Sequence, residues 1–296
     1  MHLLHKLGDW MDKRLQIFLL LPAAVIMFMV FVYPILYNFF LSFMNSGITT
    51  MKNPEFAGFQ NYVRLLKDIE FYKSLSRTFI FVAVGVSLQF VFGFLLALAM
   101  NKLEKGRNIM TTLLVFPMMI TPVVVGLMWK FILDFNSGIF NYLISLFGIP
   151  KAALLSGQTS ALPTLILIDV WQAVGFMFVI LLAGMKSLPA EPYEAAVIDG
   201  ASHWQTISKI TLPLLRPVVI VALMMRIASS IKIFDQIFVL TGGGPGSATE
   251  TFSILLNRKS FLEFDFGYSS TLAIAITIIV GIVCWYSVRA LYSEKD

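Results

Sequence analysis

Leu188-Pro-Ala-Glu-Pro-Tyr-Glu-Ala-Ala-Val-Ile-Asp-Gly-Ala-Ser-His-Trp-Gln-Thr-Ile-Ser-Lys-Ile-Thr-Leu-Pro213 separates two long apolar runs of this chain. At about 25 residues it is several times longer than a usual connection. It reads as two short helices. Pro192 suits a first helical turn, where its missing N–H costs little. Tyr193 to Ile198 contains good helix formers, and Gly200 fits the left-handed position that ends a helix. Ser202-His-Trp-Gln205 has the capping-box pattern, a hydroxyl for one free N–H and an amide reaching back for another. Trp204, Ile207 and Ile210 then form an apolar stripe at helical spacing, and Pro213 is expected to close the segment. Small residues (Ala195, Ala196, Ala201), carboxylates (Glu194, Asp199) and aromatics share its surface, as suits docking on a partner. A plain structural connector fits the same pattern.

The flanking runs decide the fold class. The chain has 296 residues, 58% of them hydrophobic and only 13% charged, with a mean hydropathy of +0.82. Soluble domains carry about twice that charge. About 20 mostly apolar residues span a bilayer core. Six runs qualify: about Ile17–Phe43, Thr78–Met100, Met110–Leu133, Leu162–Met185, Leu214–Leu240 and Ser270–Tyr292. The expected fold is therefore all-α, a polytopic membrane protein of about six transmembrane helices. The first run follows Lys13 and Arg14 as a signal peptide would, but it is too long for one and no Ala-x-Ala-like site ends it. It reads as a retained span, bent near Pro22 or Pro34.

Basic residues in short loops mark the cytoplasmic side. With the N-terminus inside, the inner segments hold Lys6, Lys13, Arg14, Lys102, Lys105, Arg107, Lys186, Lys209, Arg216, Arg289 and Lys295. The outer ones hold Lys52, Arg64, Lys67, Lys73, Arg77, Lys151, Arg258 and Lys259. Density favours this orientation, with both termini and the segment 188–213 cytoplasmic. The net charge of +5 is spread in short clusters, so nucleic acid is not an expected partner. A single Cys excludes an internal disulfide, and His2, His5 and His203 form no metal-ligand cluster. No metal site and no catalytic set is expected. In the outer stretch Met44–Arg77, Phe59, Tyr62, Val63 and Leu66 recur at helical spacing, with Arg64, Lys67 and Asp68 opposite. Such a helix lies on the bilayer surface or caps the bundle.

Glu194-Ala195-Ala196, three residues, Gly200, nine residues and Ile210-x-Leu212-Pro213 match the EAA motif of binding-protein-dependent ABC importer permeases. Asn61-Tyr62, Trp171 and Leu240-Thr-Gly-Gly-Gly-Pro245 resemble the carbohydrate branch, and the likeness covers nearly the whole chain. Within that branch the chain is similar to the first of two paired maltose-type permeases. The resemblance implies one permease domain over residues 1–296, with the type I importer fold, in a bacterial inner membrane. It implies an ATPase-coupling helix carrying Glu194, Ala195, Ala196, Asp199, Gly200, Ile210, Leu212 and Pro213. Its implied partners are a second permease in a heterodimer, two cytoplasmic ATPase subunits that hold the ATP and magnesium, an extracytoplasmic solute-binding protein and membrane lipid. The chain would bind no cofactor and act as no enzyme. Gly242-Gly-Gly-Pro-Gly246 lacks the following Gly-Lys-Ser/Thr of a phosphate loop and reads as a turn.

The fifth run is the most polar. Arg226, Ser229, Ser230 and Ile233 share one helical face, and Lys232 and Asp235 stand at a spacing that allows mutual neutralisation. On the fourth run Trp171, Gln172 and Phe176 lie close together, suited to sugar faces and hydroxyls or simply to helix packing. The resemblance places Gln172, Ala173, Phe176, Arg226 and Ser230 near the substrate path. A sugar or oligosaccharide is the implied cargo, with an acidic sugar (a uronate) as the alternative suggested by Arg226 and Lys232. Intramembrane carboxylates often serve proton relays, so Asp169 and Asp235 motivate a rival reading as an ion-coupled secondary transporter.

Overall fold

The computed structural model describes residues 19–48, 50, 52–103 and 105–292. Lys6, Lys13, Arg14 and Lys295 of the orientation argument, together with His2 and His5, lie outside them. Among the described residues the only strands form one two-residue ladder, in which β1 (Met44–Asn45) pairs antiparallel with β2 (Glu55–Phe56), and the remaining regular elements are helices. It divides into two compact units, residues 1–67 with 258–276 and residues 68–257 with 277–296.

The first unit begins with α1 (Leu19–Leu41), none of whose most apolar window is buried. Its turns widen over Phe28–Val32, directly before Pro34, which cannot donate a backbone hydrogen bond and crowds the preceding turn. The irregularity expected near a proline therefore falls there. α2 (Gln60–Lys67) follows the ladder.

The second unit is built on α3 (Ile69–Asn101) and α7 (Ala161–Lys186). Asp68 starts α3 by accepting the Glu70 N–H at 2.8 Å, so it serves as a cap rather than as part of the polar face of α2. α7 is the central helix, with 67% of its apolar window buried. Two core clusters flank it, one around Phe81, Leu165 and Ile168 and one around Ala97, Phe178 and Leu181. Without a hydrophobic force between helices in lipid, small residues let backbones meet. A Cβ built on Gly93 of α3 would stand 2.6 Å from the Met177 Cβ, and one on Gly175 would stand 2.5 Å from the Leu114 carbonyl oxygen.

Two expected spans are interrupted. The third run is a broken pair, α4 (Arg107–Met119) and α5 (Pro122–Ile132), bent by 94°. Thr121 is extended and Pro122 opens the second piece, because proline disfavours helical backbone before it. α6 (Ile139–Leu146) lies beyond. At the start of α7, the Thr164 hydroxyl donates to the Ser160 carbonyl at 2.8 Å.

α8 (Glu191–Ile198) carries Pro192 in its first turn, and Gly200 has φ +69°. The capping box at Ser202 and Gln205 is present in both directions. The expected stop at Pro213 is not. A single helix, α9 (His203–Ile231), runs from the box into the fifth span. Widened turns over Ile207–Thr211 absorb the proline, whose missing N–H would otherwise leave a gap in the regular ladder. α9 ends at Ile231, well before Leu240, and the short α10 (Asp235–Leu240) resumes after the break. α11 (Phe252–Asn257) follows the glycine-rich turn, its Phe252 N–H donating to Thr78 Oγ1 at 2.8 Å. α12 (Phe266–Tyr292) supplies the last span.

Candidate functional site

Three polar side chains meet inside the second unit. Arg226 on α9 donates from Nη2 to both oxygens of Asp169 on α7, each at 2.6 Å. Its Nε donates to Gln89 Oε1 at 2.6 Å. Gln89 on α3 closes the ring through Nε2, donating to Asp169 Oδ2 at 2.8 Å. Asp169 is 3% exposed and Gln89 fully buried. A charge at this depth is tolerated only when it is paired and its remaining hydrogen-bonding capacity is used. Here one cation, one anion and one amide satisfy each other and tie three helices together.

This ring bears on two expectations. Asp169 is buried and accepts from both Arg226 and Gln89 rather than standing alone. Arg226 in turn has Asp169 as its ion-pair partner rather than standing as an unpaired cation. Gln89 escaped the sequence reading, although a lone amide in an apolar run itself signals a partner.

Beside the ring opens a cleft of about 380 Å³. Gln172, Ala173 and Phe176 line it from α7, Arg226 and Ser229 from α9, and Lys232 and Asp235 from the break after α9. These include five of the seven pathway residues drawn from the sequence. Trp171 packs elsewhere, edge-to-face on Trp129 at 5.5 Å between centroids. Ser230 is 1% exposed, and its hydroxyl meets no hydrogen-bond partner among the described residues. Gln172 Nε2 donates to the Ile120 carbonyl at 2.9 Å. That carbonyl lies at the α4–α5 break, so Gln172 stabilises the bend that shapes one wall.

Lys232 and Asp235 form no ion pair among the described residues. The neutralisation expected from their spacing needs a continuous helix, and the helix breaks between them. Both are exposed at the cleft. The lining thus carries two cations and two anions, one pair satisfied at the floor and one pair open at the rim. Phe176 and Phe234 add aromatic surface. Such a lining offers donors, acceptors and ring faces without net charge, which suits a polyhydroxylated neutral molecule.

The segment 188–213 is the second feature. Ala195, Ala196, Asp199, Gly200 and Ile210 line a groove of about 370 Å³ between α8 and the start of α9. Glu194 and Asp199 are exposed. Val197 is 79% exposed, Ile198 85% and Trp204 77%, an apolar tip on a segment rich in charge. Leu212 and Pro213 lie further along α9. Tyr193 Oη donates to Thr211 Oγ1 at 3.2 Å and braces α8 against α9. Lys102 Nζ, at the end of α3, lies 3.2 Å from His203 Nε2. The glycine run at 242–246 is a packed turn, with Thr249 Oγ1 donating to the Gly244 carbonyl at 2.7 Å.

Residues 89–295 match the family described as binding-protein-dependent transport system inner membrane component. The chain is 34% identical to the trehalose/maltose transport system permease protein MalF of Thermococcus litoralis, over 91% of this chain and 90% of that one. It is 33% identical to the trehalose transport system permease protein SugA of Mycobacterium tuberculosis, over 94% of this chain and 89% of that one. Its fold is similar to a chain in the crystal structure of a bacterial ABC transporter involved in the import of the acidic polysaccharide alginate. There the TM-score is 0.82 at 22% identity, covering 98% of this chain and all of that one.

Proposed function

The chain belongs to the family of binding-protein-dependent transport system inner membrane components, and from that premise we propose how its two sites divide the work. It is a permease subunit of an ABC importer, not an enzyme, and its cargo is a sugar. The cleft beside Arg226 forms part of the sugar path, and the segment 188–213 couples that path to ATP hydrolysis on partner subunits. The whole chain, residues 1–296, acts as one permease domain.

The observation that carries the coupling role is the exposed tip of α8. A short helix presents Glu194, Val197 and Ile198 to its surroundings while its Ala196 is buried. Large apolar side chains at such exposure, rimmed by charge, mark a docking surface. The partner is a cytoplasmic ATPase, two copies of which hold the ATP and magnesium. On this reading both termini and the segment lie in the cytoplasm. A second permease of similar size completes the path, and an extracytoplasmic binding protein delivers the sugar.

An uncharged saccharide is the favoured cargo. Arg226 is already neutralised by Asp169, and Lys232 is offset by Asp235 on the same rim. The names of the trehalose and trehalose/maltose relatives agree with this, whereas the alginate importer of similar fold carries an acidic cargo. An acidic sugar would bring its carboxylate toward Asp169 and find no unmatched cation at the floor.

The test is uptake and ATP hydrolysis in reconstituted vesicles. Glu194→Lys reverses the charge at the tip. Gly200→Pro demands φ near −65° where the turn has +69°. Both variants are expected to insert and assemble, yet to lose sugar uptake while basal hydrolysis persists. Normal coupled uptake in both would overturn the assignment.

A further inference from the structure

We propose that α2 is a membrane-interface helix whose Phe59–Val63–Leu66 face rests in the headgroup boundary of the bilayer. The segment falls into three sectors. At about 100° per residue, Phe59, Val63 and Leu66 point one way, Asn61 and Leu65 a second, and Gln60, Arg64 and Lys67 a third.

Each sector has a different environment. Asn61 and Leu65 are buried within the first unit. Asn61 Nδ2 donates to the carbonyls of Ser42 at 3.0 Å and Met44 at 2.9 Å. The Tyr62 and Ser42 hydroxyls lie 2.8 Å apart. The helix is therefore bolted to the residues that directly follow the first span. On the polar sector Arg64 pairs with Asp265 at 2.6 Å and lies over the Tyr268 ring at 4.2 Å. The apolar sector is exposed, Phe59 by 71%, Val63 by 49% and Leu66 by 67%.

What covers that face follows from its continuity with the span. α1 is exposed along its apolar length, a run long and apolar enough to lie in the hydrocarbon core. From Phe39 on α1 an aromatic path leads to Phe43 at 5.2 Å, on to Phe59 at 5.5 Å, and from Phe43 to Tyr62 at 5.4 Å. Aromatic side chains of this kind gather where hydrocarbon meets headgroups. Phe56, 78% exposed, extends the same edge. A short helix with one apolar strip, one basic strip and a fixed tether to a span end has the form of a surface-lying helix.

The test uses the intact importer in phosphatidylethanolamine–phosphatidylglycerol vesicles. In a Cys284→Ser background, Val63→Cys, Leu66→Cys and Gln60→Cys each carry one nitroxide. Collision with oxygen, which concentrates in lipid, is compared with collision with a water-soluble nickel chelate. The oxygen-to-nickel ratio is expected to be several-fold higher at Val63 and Leu66 than at Gln60. Equal ratios at all three would put the face in water and overturn the proposal. Exclusion of both reagents from an immobilised label at Val63 and Leu66 would also overturn it, by showing a protein partner there.

Discussion

Removing the Asp169 carboxylate is the sharpest test of the buried ring. Asp169→Ala deletes the acceptor of two bonds from Arg226 and one from Gln89. It leaves the guanidinium, whose side chain is only 12% exposed, without a counter-ion. With charge centres about 4 Å apart and an effective dielectric of about 20, the direct attraction is about 4 kcal/mol. Stranding one member of such a pair costs about 3–5 kcal/mol. Asp169→Asn should cost roughly half as much, since its amide oxygen still accepts from Arg226. The double variant Asp169→Leu/Arg226→Met removes both charges and should lose less than Asp169→Ala alone. Equilibrium unfolding in mixed detergent micelles reads all three, with reassembly on size-exclusion chromatography as the check. A cost of less than about 1 kcal/mol for Asp169→Ala, or a double variant worse than the single, would refute the claim that pairing holds these helices together.

Other outcomes follow from single contacts. Gly93→Ala places a methyl against the Met177 Cβ and the Phe178 nitrogen, and overpacking of this kind costs about 1–3 kcal/mol, visible as a lower unfolding midpoint. Ser202→Ala removes the hydroxyl from the capping box and should destabilise the start of α9 by about 1 kcal/mol, read as faster amide exchange over residues 203–206. Asp134, outside the spans, is held below the usual carboxylate range by the Ser137 N–H first, then the Ser137 hydroxyl and the Asn136 N–H. Because its folded value is the lower one, its contribution is complete above the ordinary value of 3.8 and fades as pH falls below that. Exchange at residues 136–138 should rise there in the native chain, and Asp134→Asn should abolish that pH dependence.

Some features are local and therefore legible in the order of residues alone. A span needs only an apolar run, so all six runs are helical, although two are interrupted. The turn at Gly200 and the box at Ser202 and Gln205 depend on residues within a few positions of each other, and both form as their residues dictate. The stop at Pro213 does not, because a proline ends a helix only when nothing else absorbs the missing donor. Here widened turns and the packing of Leu215 and Ala222 carry α9 through it. Similarly, the i,i+3 pairing of Lys232 and Asp235 assumes a helix that the chain breaks.

The candidate cleft is visible in the sequence as residue types, not as an arrangement. Gln172, Ala173, Phe176, Arg226 and Ser229 line one cleft, whereas Trp171 and Ser230, one residue from members of that set, turn away. A shift of one position rotates a side chain by about 100° around the helix, and only the neighbouring helices decide which direction is core and which is cleft. The pairing of Arg226 with Asp169 and Gln89 spans separations of 57 and 137 residues, which no periodicity encodes.

The sequence by itself determined that this chain lives in a membrane, where its spans fall and where a capped helical turn interrupts them, because transfer free energy and backbone capping act on neighbouring residues. The tertiary structure alone decided which polar side chains neutralise one another and which remain open to a ligand. The cost of a buried charge is set by what three separate helices bring within hydrogen-bonding distance of it.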